Sequence, residues 1–416
     1  MTALAEILAQ NLAGKVRGLP AWCTAHPETL AAILATYRDD DAPVLIEATC
    51  NQVNQQGGYT GMTPDAFRGF VEGLAVAQGV DPARLVLGGD HLGPNPWRHL
   101  PADQAMDHAR AMVAAYVQAG FTKIHLDASM PCGGEVLSQP EMARRAADLA
   151  AVAEAEAGGR VLAYVIGTEV PIPGGETAPV DRLSITTPEA ARQTIEEHRD
   201  AFAARGLSSV MARVAALVVQ PGVDFGNAQI IGFDPPAAAA LSAAVASFGG
   251  PVFEAHSTDY QSGRALRALV QGHFAILKVG PELTFAYRQA VLALERLAQL
   301  MGLPSGVEAA LRAAMADDPR DWQAYIDPGP DAPQMMIWGL SDRVRYYWPK
   351  PQVQAAQRAL FTALRAAHPP PGLVAQVTGG LAVPVDPATL PETVIQANVG
   401  AVVARYRTAT GDFDAP

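Results

Sequence analysis

Short apolar runs of β-strand character alternate along this chain with longer stretches rich in alanine and leucine. Eight such runs recur at fairly even intervals: Leu19–Thr24, Val44–Thr49, Arg84–Gly89, Lys123–Asp127, Arg160–Ile166, Arg213–Val219, Pro251–His256 and Phe274–Val279. The stretches between them, among them Ala102–Ala119, Gln139–Glu156 and Pro188–Ala204, are long and periodic enough to be amphipathic helices. Eight strand-then-helix units predict an α/β fold, a (β/α)8 TIM barrel, with its chemistry at the C-terminal ends of the strands. The residues at those ends are mostly polar or chargeable: Glu47 with Cys50 and Asn51, Asp90-His91, His125 and Asp127, Glu169, Gln220, His256 and Lys278.

Residues 2–13 read as a short amphipathic helix capping the bottom of the barrel, so that barrel and helix together take residues 1–302. Beyond 302 the strand–helix alternation stops. Residues 303–416 are expected to form a helical extension packed on the barrel, with helices near 351–367 and 388–408. Two loops, Cys50–Met62 and Gly167–Thr186, are long for a compact domain and leave the polar face, which marks them as functional.

Composition narrows the partners. With 49% hydrophobic residues the chain can bury a barrel core, and a net charge of −12 argues against nucleic acid or an anionic membrane surface. A phosphorylated substrate stays open, because a few local cations and backbone amides suffice for one phosphate. The three cysteines form no CxxC pair, so neither a disulfide framework nor a thiolate zinc site is expected. The sequence begins without a basic-then-apolar leader and has no uninterrupted apolar run of roughly 18 residues, so a cytoplasmic protein is expected.

Several strand ends carry candidate chemistry. Gly88-Gly89-Asp90-His91 lets backbone approach a ligand closely, and its Asp and His should point to different sides of the strand. Alternation puts His125, Asp127 and Ser129 on one face, either as a buried hydrogen-bonded pair or as part of a site. Glu254 and His256 share a face in the same way. His91, Asp127, Glu169 and His256 are the candidate ligands of a divalent metal, and Asp90, Asp127, Glu169 and Glu47 the candidate catalytic carboxylates. Lys278 is a phosphate or carboxylate binder, a salt-bridge partner or a Schiff-base lysine. Ser257, Thr258, Lys278 and Gly280 follow the last two strands, where barrels commonly hold phosphate, and Asn51 and Arg343 complete the substrate candidates. The segment Trp338–Trp348, WGLSDRVRYYW, is either an aromatic clamp or oligomer contact, or brings Arg343 or Arg345 to a substrate phosphate.

The blocks IEATCNQVNQQGGYTGMTP, LGGDHLGPNPW, AGFTKIHLDASM, VIGTEVPIPGG, EAHSTDYQ, LKVGPELTFAYRQA and SDRVRYYWP together resemble the Z-type subunit family of class II D-tagatose-1,6-bisphosphate aldolase. The resemblance implies a barrel acting on a ketose or ketose phosphate in galactitol or N-acetylgalactosamine breakdown, an expected oligomer, and a Y-type aldolase subunit as candidate partner. Members of the family look like metal-dependent C4-epimerases, like non-catalytic supporting subunits, or carry a tagatose-6-phosphate kinase label. A divalent ion (zinc, manganese or nickel) would polarise the C2 carbonyl while a carboxylate takes the C4 hydroxyl proton and the C3–C4 bond opens. Recombination after the aldehyde turns gives epimerisation of fructose 6-phosphate to tagatose 6-phosphate, and release gives aldol cleavage. Asp90-His91 is similar to the Asp-His of class II aldolases, but Gln220-Pro221-Gly222 stands where a His-Gly ligand pair is expected, so Glu169 or Asp127 would have to replace that histidine. No phosphate loop or kinase-type glycine-rich loop supports the kinase label.

Overall fold

The computed structural model describes residues 2–168, 183–380 and 386–412. Its barrel strands are β1 (Leu19–Cys23), β2 (Val44–Thr49), β3 (Leu85–Leu92), β4 (Lys123–Leu126), β5 (Ala163–Ile166), β6 (Val214–Val219), β9 (Val252–Ala255) and β10 (Phe274–Val279). They close in the order β1-β10-β9-β6-β5-β4-β3-β2, and every neighbouring pair is parallel. Two short strands that were not expected, β7 (Asp224–Phe225) and β8 (Ile230–Ile231), form an antiparallel ribbon in the loop after β6. Two residues per strand give no periodic signal to read.

The outer helices start where the sequence supplies a cap. Thr63-Pro64, Ser138 and Thr187-Pro188 each place a hydroxyl that accepts a backbone N–H of the first turn, and proline at the first helical position costs no hydrogen bond there. The helix Ala3–Leu12 lies across the bottom of the barrel. Its Leu4, Ile7 and Leu8 join Leu19, Leu45, Val165, Ala216, Val252 and Ile276 in one buried cluster, in which burial of each leucine, isoleucine or valine is worth about 1.5–3 kcal/mol.

Among the described residues five helices follow the barrel: Val307–Asp317, Ala332–Trp338, Pro351–Ala367, Pro371–Thr378 and Leu390–Ala409. They share one continuous hydrophobic core with the outer face of the barrel. Tyr406 on the last of them donates to the Thr258 carbonyl at 2.7 Å, and Arg407 pairs with Asp40 at 2.7 Å. The aromatic segment is tied down by Asp342. This buried residue, at φ 46°, accepts from Arg288 Nε at 2.8 Å and Thr284 Oγ1 at 2.6 Å, both on the helix Pro281–Leu300. The short turn Arg343–Tyr346 is thereby fixed over the strand C-termini.

Candidate active site

Above the apolar plug the barrel interior turns ionic. Lys123 Nζ lies 2.5 Å from Glu47 Oε1 and 2.7 Å from Glu254 Oε2, with all three side chains fully buried. Lys278 Nζ lies 2.7 Å from Glu47 Oε2 and also pairs with Asp90. Burial alone would lower both ammonium pKa values, but the carboxylates outweigh it and hold them above the usual lysine range.

The next layer is a triangle of imidazoles. Ring centroids of His91, His125 and His256 stand 5.0, 5.0 and 5.4 Å apart. Together with Asp90 they offer four ligand atoms within 4.8 Å of one another, and all four residues are buried. Each ring is braced by a carboxylate: His91 Nδ1 by Asp127 at 2.8 Å, His125 Nδ1 by Asp90 at 2.9 Å, His256 Nε2 by Glu254 at 2.9 Å. Such bracing fixes ring orientation and raises ligand basicity in metal sites. Burial, then the Lys278 charge, pushes His256 down to about 3, so its imidazole is neutral at pH 7 and able to ligate. Burial would lower His91 too, but Asp90 and the bonded Asp127 hold it above the usual range.

Two observations test whether these residues fit a cation. His125 Nε2 is buried without a hydrogen-bond partner among the described residues, an arrangement that is costly for a lone imidazole and suits a ligand atom. Among the described residues the four carboxylates Glu47, Asp90, Asp127 and Glu254 face two ammoniums, Lys123 and Lys278, so carboxylates outnumber lysines in this layer. An excess of buried carboxylate beside neutral imidazole suits a cation. This buried His/Asp cluster can therefore bind a metal ion.

Local backbone explains how Asp90 and His91 reach one centre despite being adjacent. Register shifts between Gly89 and Leu92 against β4, and His91 sits at φ 50°. The irregularity turns His91 away from the opposite-side position that simple alternation predicts, and strain of this kind is usual at functional sites. Ser257, at φ 53°, is the corresponding residue past β9. Gly93 is required: a Cβ there would lie 1.6 Å from the Asp127 carbonyl oxygen.

The cluster forms part of the wall of a cavity of about 620 Å³ at the strand C-termini. Asn51, Asp90, His91, His256, Ser257, Lys278 and Gly280 line it, joined by Cys23, Thr24 and His26 after β1 and by Tyr325, Arg345, Tyr346 and Trp348 of the extension. The loop after β2 folds over this cavity. Asn54 Oδ1 accepts from Gln56 and Gly58, and Tyr59 meets the Tyr346 ring edge-on at 4.9 Å.

Other candidates are committed elsewhere. Asp127 stands behind His91, with Oδ1 accepting from Ser129 N and Oγ at 3.0 and 2.6 Å. Glu47 is held between two lysines and does not line the cavity. Thr258 Oγ1 is spent on the Lys278 carbonyl at 2.6 Å. The Gly280 N–H donates to Asp259 Oδ1 at 3.0 Å. Arg343, expected at the substrate, does not line the cavity; it stacks over Tyr325 at 3.6 Å, and Arg345 of the same turn takes the cavity side. Gln220 Oε1 accepts from Gly222 and Val223 N–H as a turn former. The Glu169 assignment lies outside the described residues. The sequence marks His125 as a buried hydrogen-bonded or site residue and does not single out Lys123. Both share the inward parity of Asp127, the signal that could have found them.

Comparison with known proteins now places the chain. The description "D-tagatose-1,6-bisphosphate aldolase subunit GatZ/KbaZ-like" matches residues 4–411. A D-tagatose 6-phosphate 4-epimerase from Agrobacterium fabrum is 47% identical over 99% of this chain and 99% of its own. A crystal structure of a probable tagatose 6 phosphate kinase from Sinorhizobium meliloti superposes with a TM-score of 0.86 at 44% identity, covering 94% of this chain and 100% of that one. Among the described residues no helix is long and apolar enough to cross a membrane. With an eight-stranded parallel barrel, a C-terminal helical extension and a match over nearly its whole length, this chain belongs to the D-tagatose-1,6-bisphosphate aldolase subunit GatZ/KbaZ-like family.

Proposed function

We propose that this chain is a divalent-metal-dependent ketose-phosphate C4-epimerase that interconverts fructose 6-phosphate and tagatose 6-phosphate by retro-aldol and aldol steps. The observation that carries the reading is the buried cluster of three carboxylate-braced histidines and Asp90 at the wall of the cavity over the strand C-termini. The near-full-length relationship to a named tagatose 6-phosphate 4-epimerase narrows the substrate. His91, His125, His256 and Asp90 would hold a divalent ion (zinc, manganese or nickel), which would supply Lewis-acid chemistry for opening the C3–C4 bond. The chain's own residues do the rest. Asp127 and Glu254 hold the imidazole orientations, Lys123 and Lys278 hold the carboxylates in place, and the Tyr59–Tyr346 contact helps close the cavity against water. Glu169 is retained as the carboxylate for the C4 hydroxyl proton. A cytoplasmic location belongs to the same reading and agrees with three free thiols.

The family description as a subunit favours one second reading, support of a separate Y-type aldolase chain. One experiment separates the two. The purified chain is stripped with EDTA, reloaded with Zn²⁺, Mn²⁺ or Ni²⁺, and mixed with fructose 6-phosphate or tagatose 6-phosphate, with the sugars followed by NMR. Interconversion is expected with metal and is lost in His256→Ala and Glu169→Gln. A folded, metal-loaded chain that converts neither sugar but restores a partner aldolase refutes the epimerase reading.

A further inference from the structure

The place where barrels commonly hold a phosphate is already filled by this protein itself. The helix Pro281–Leu300 follows β10, and its first N–H groups are the usual anion donors of the fold. Here Asp259 Oδ1 takes both the Gly280 and Glu282 N–H, at 3.0 and 2.8 Å, and Glu282 in turn accepts the Tyr260 N–H at 2.7 Å. A phosphate would meet two acidic side chains there. Lys278 is no substitute, being consumed by Glu47 and Asp90.

The remaining arginines of the cavity wall both come from the extension. Arg345 is half-buried, and no carboxylate lies within ion-pair distance of it among the described residues. Its head is held rigid: Nη1 donates to the Ser341 carbonyl and, at 3.1 Å, to the Asp342 carbonyl, and Nη2 donates to the Tyr346 hydroxyl at 3.0 Å. The Tyr346 ring lies between two guanidiniums, 4.7 Å from Arg343 and 4.6 Å from Arg345. Arg358 is exposed at the rim, also without a carboxylate partner among the described residues. A pre-oriented, partly desolvated fork lacking a counter-anion and facing a substrate cavity is the geometry of oxyanion recognition.

We infer that Arg345, assisted by Arg358, recognises the phosphate monoester of the ketose, so that the extension, not the barrel loops after β9 and β10, reads whether the sugar is phosphorylated. This rests on the ketose-phosphate reading above. It assigns the Trp338–Trp348 segment a role in specificity, with Arg343 and Tyr346 as positioning residues that keep the fork in place.

The test compares kcat/KM for tagatose 6-phosphate with that for tagatose. Arg345→Gln is expected to lower this ratio by about 100-fold, and Arg358→Gln by about 10-fold, as charge-assisted contacts of this kind translate into affinity. Equal losses on both sugars in Arg345→Gln, or no loss on either, would overturn the assignment. A binding measurement stands apart from catalysis: calorimetric titration of the EDTA-treated protein with inorganic phosphate. Binding by the wild type and its loss in Arg345→Gln supports the inference even if the epimerase reading fails. Failure of the wild type to bind, or unchanged binding by the variant, overturns it. Should Arg345→Gln fail to fold, Arg345→Lys keeps the charge without the fork and is expected to show a smaller fall in the same ratio; no fall would count against the inference.

Discussion

Replacing Lys123 by methionine removes the one cation among the described residues that touches both Glu47 and Glu254, with little change of volume. At 2.5 and 2.7 Å, each contact is worth about 6 kcal/mol of Coulomb energy at an effective dielectric near 20, before the desolvation of the ammonium is subtracted. Breaking such a buried pair from one side commonly costs 3–5 kcal/mol net, because a carboxylate is left without its counter-charge. Glu47 keeps Lys278 and Glu254 keeps His256, so about 3 kcal/mol is the expected loss at pH 7. That is a large share of the stability of an ordinary domain. The pH dependence has a definite sign. Burial would raise the Glu254 pKa, but Lys123 and then His256 hold it well below the usual carboxylate range. A depressed carboxyl contributes stability above its unfolded pKa near 4.5 and loses it as pH falls through the folded value. Lys123→Met removes most of that contribution, so the gap between variant and wild type should be widest at pH 7 and close mainly as pH falls below 4.5. Urea denaturation in EDTA at pH 7, 5, 4 and 3 measures this. Lys123→Met/Glu254→Gln should recover at least half of the loss, giving a coupling free energy of about 1.5 kcal/mol or more. A pH-independent loss, or additive single and double variants, would refute the argument that unpaired charge is the cause.

Asp127→Asn should leave the fold intact and weaken Zn²⁺ binding by about 10- to 100-fold in competition with a chelator, since it braces His91 from behind; unchanged affinity would count against that role. Gly93→Ala should destabilise by about 3 kcal/mol in urea denaturation, because its Cβ would lie 1.6 Å from the Asp127 oxygen, whereas Gly69→Ala, in open space on the helix Pro64–Ala77, should be neutral or stabilise by up to about 1 kcal/mol. His198 is pushed down to about 4 by burial, against its bond to the Thr194 carbonyl. Its neutral form therefore favours the fold above pH 6.5, and the gain is lost as pH falls toward 4. His198→Gln should flatten that slope by at most about 3 kcal/mol, and a slope identical to wild type would show that other groups dominate.

The barrel was legible because each strand is buried on both faces and each helix on one, so apolar periodicity and capping residues repeat through the core; the expected runs differ from the observed strands by a few residues at the ends. Arg160–Ile166, for example, begins three residues early, at a turn where Arg160 Nη2 instead bonds the Val117 carbonyl at 2.8 Å. The site was legible only in part, for a physical reason: its key geometry comes from departures from regular structure. Alternation sends Asp90 and His91 to opposite sides, and it is the register shift and the left-handed φ of His91 that bring both to one centre. Alternation did place Lys123, His125 and Asp127 on one inward face, but parity cannot tell an ion-pair layer from a ligand layer; depth along the barrel axis decides that. Lys123, lowest, sits among carboxylates, His125 in the imidazole triangle, and Asp127, beyond the strand, turns back to brace His91. The same limit applies to phosphate recognition. Residue types after β9 and β10 suit an anion, and only the structure reveals that Asp259 has already taken their amides, which leaves Arg345 and Arg358 of the extension at the cavity without a carboxylate partner among the described residues.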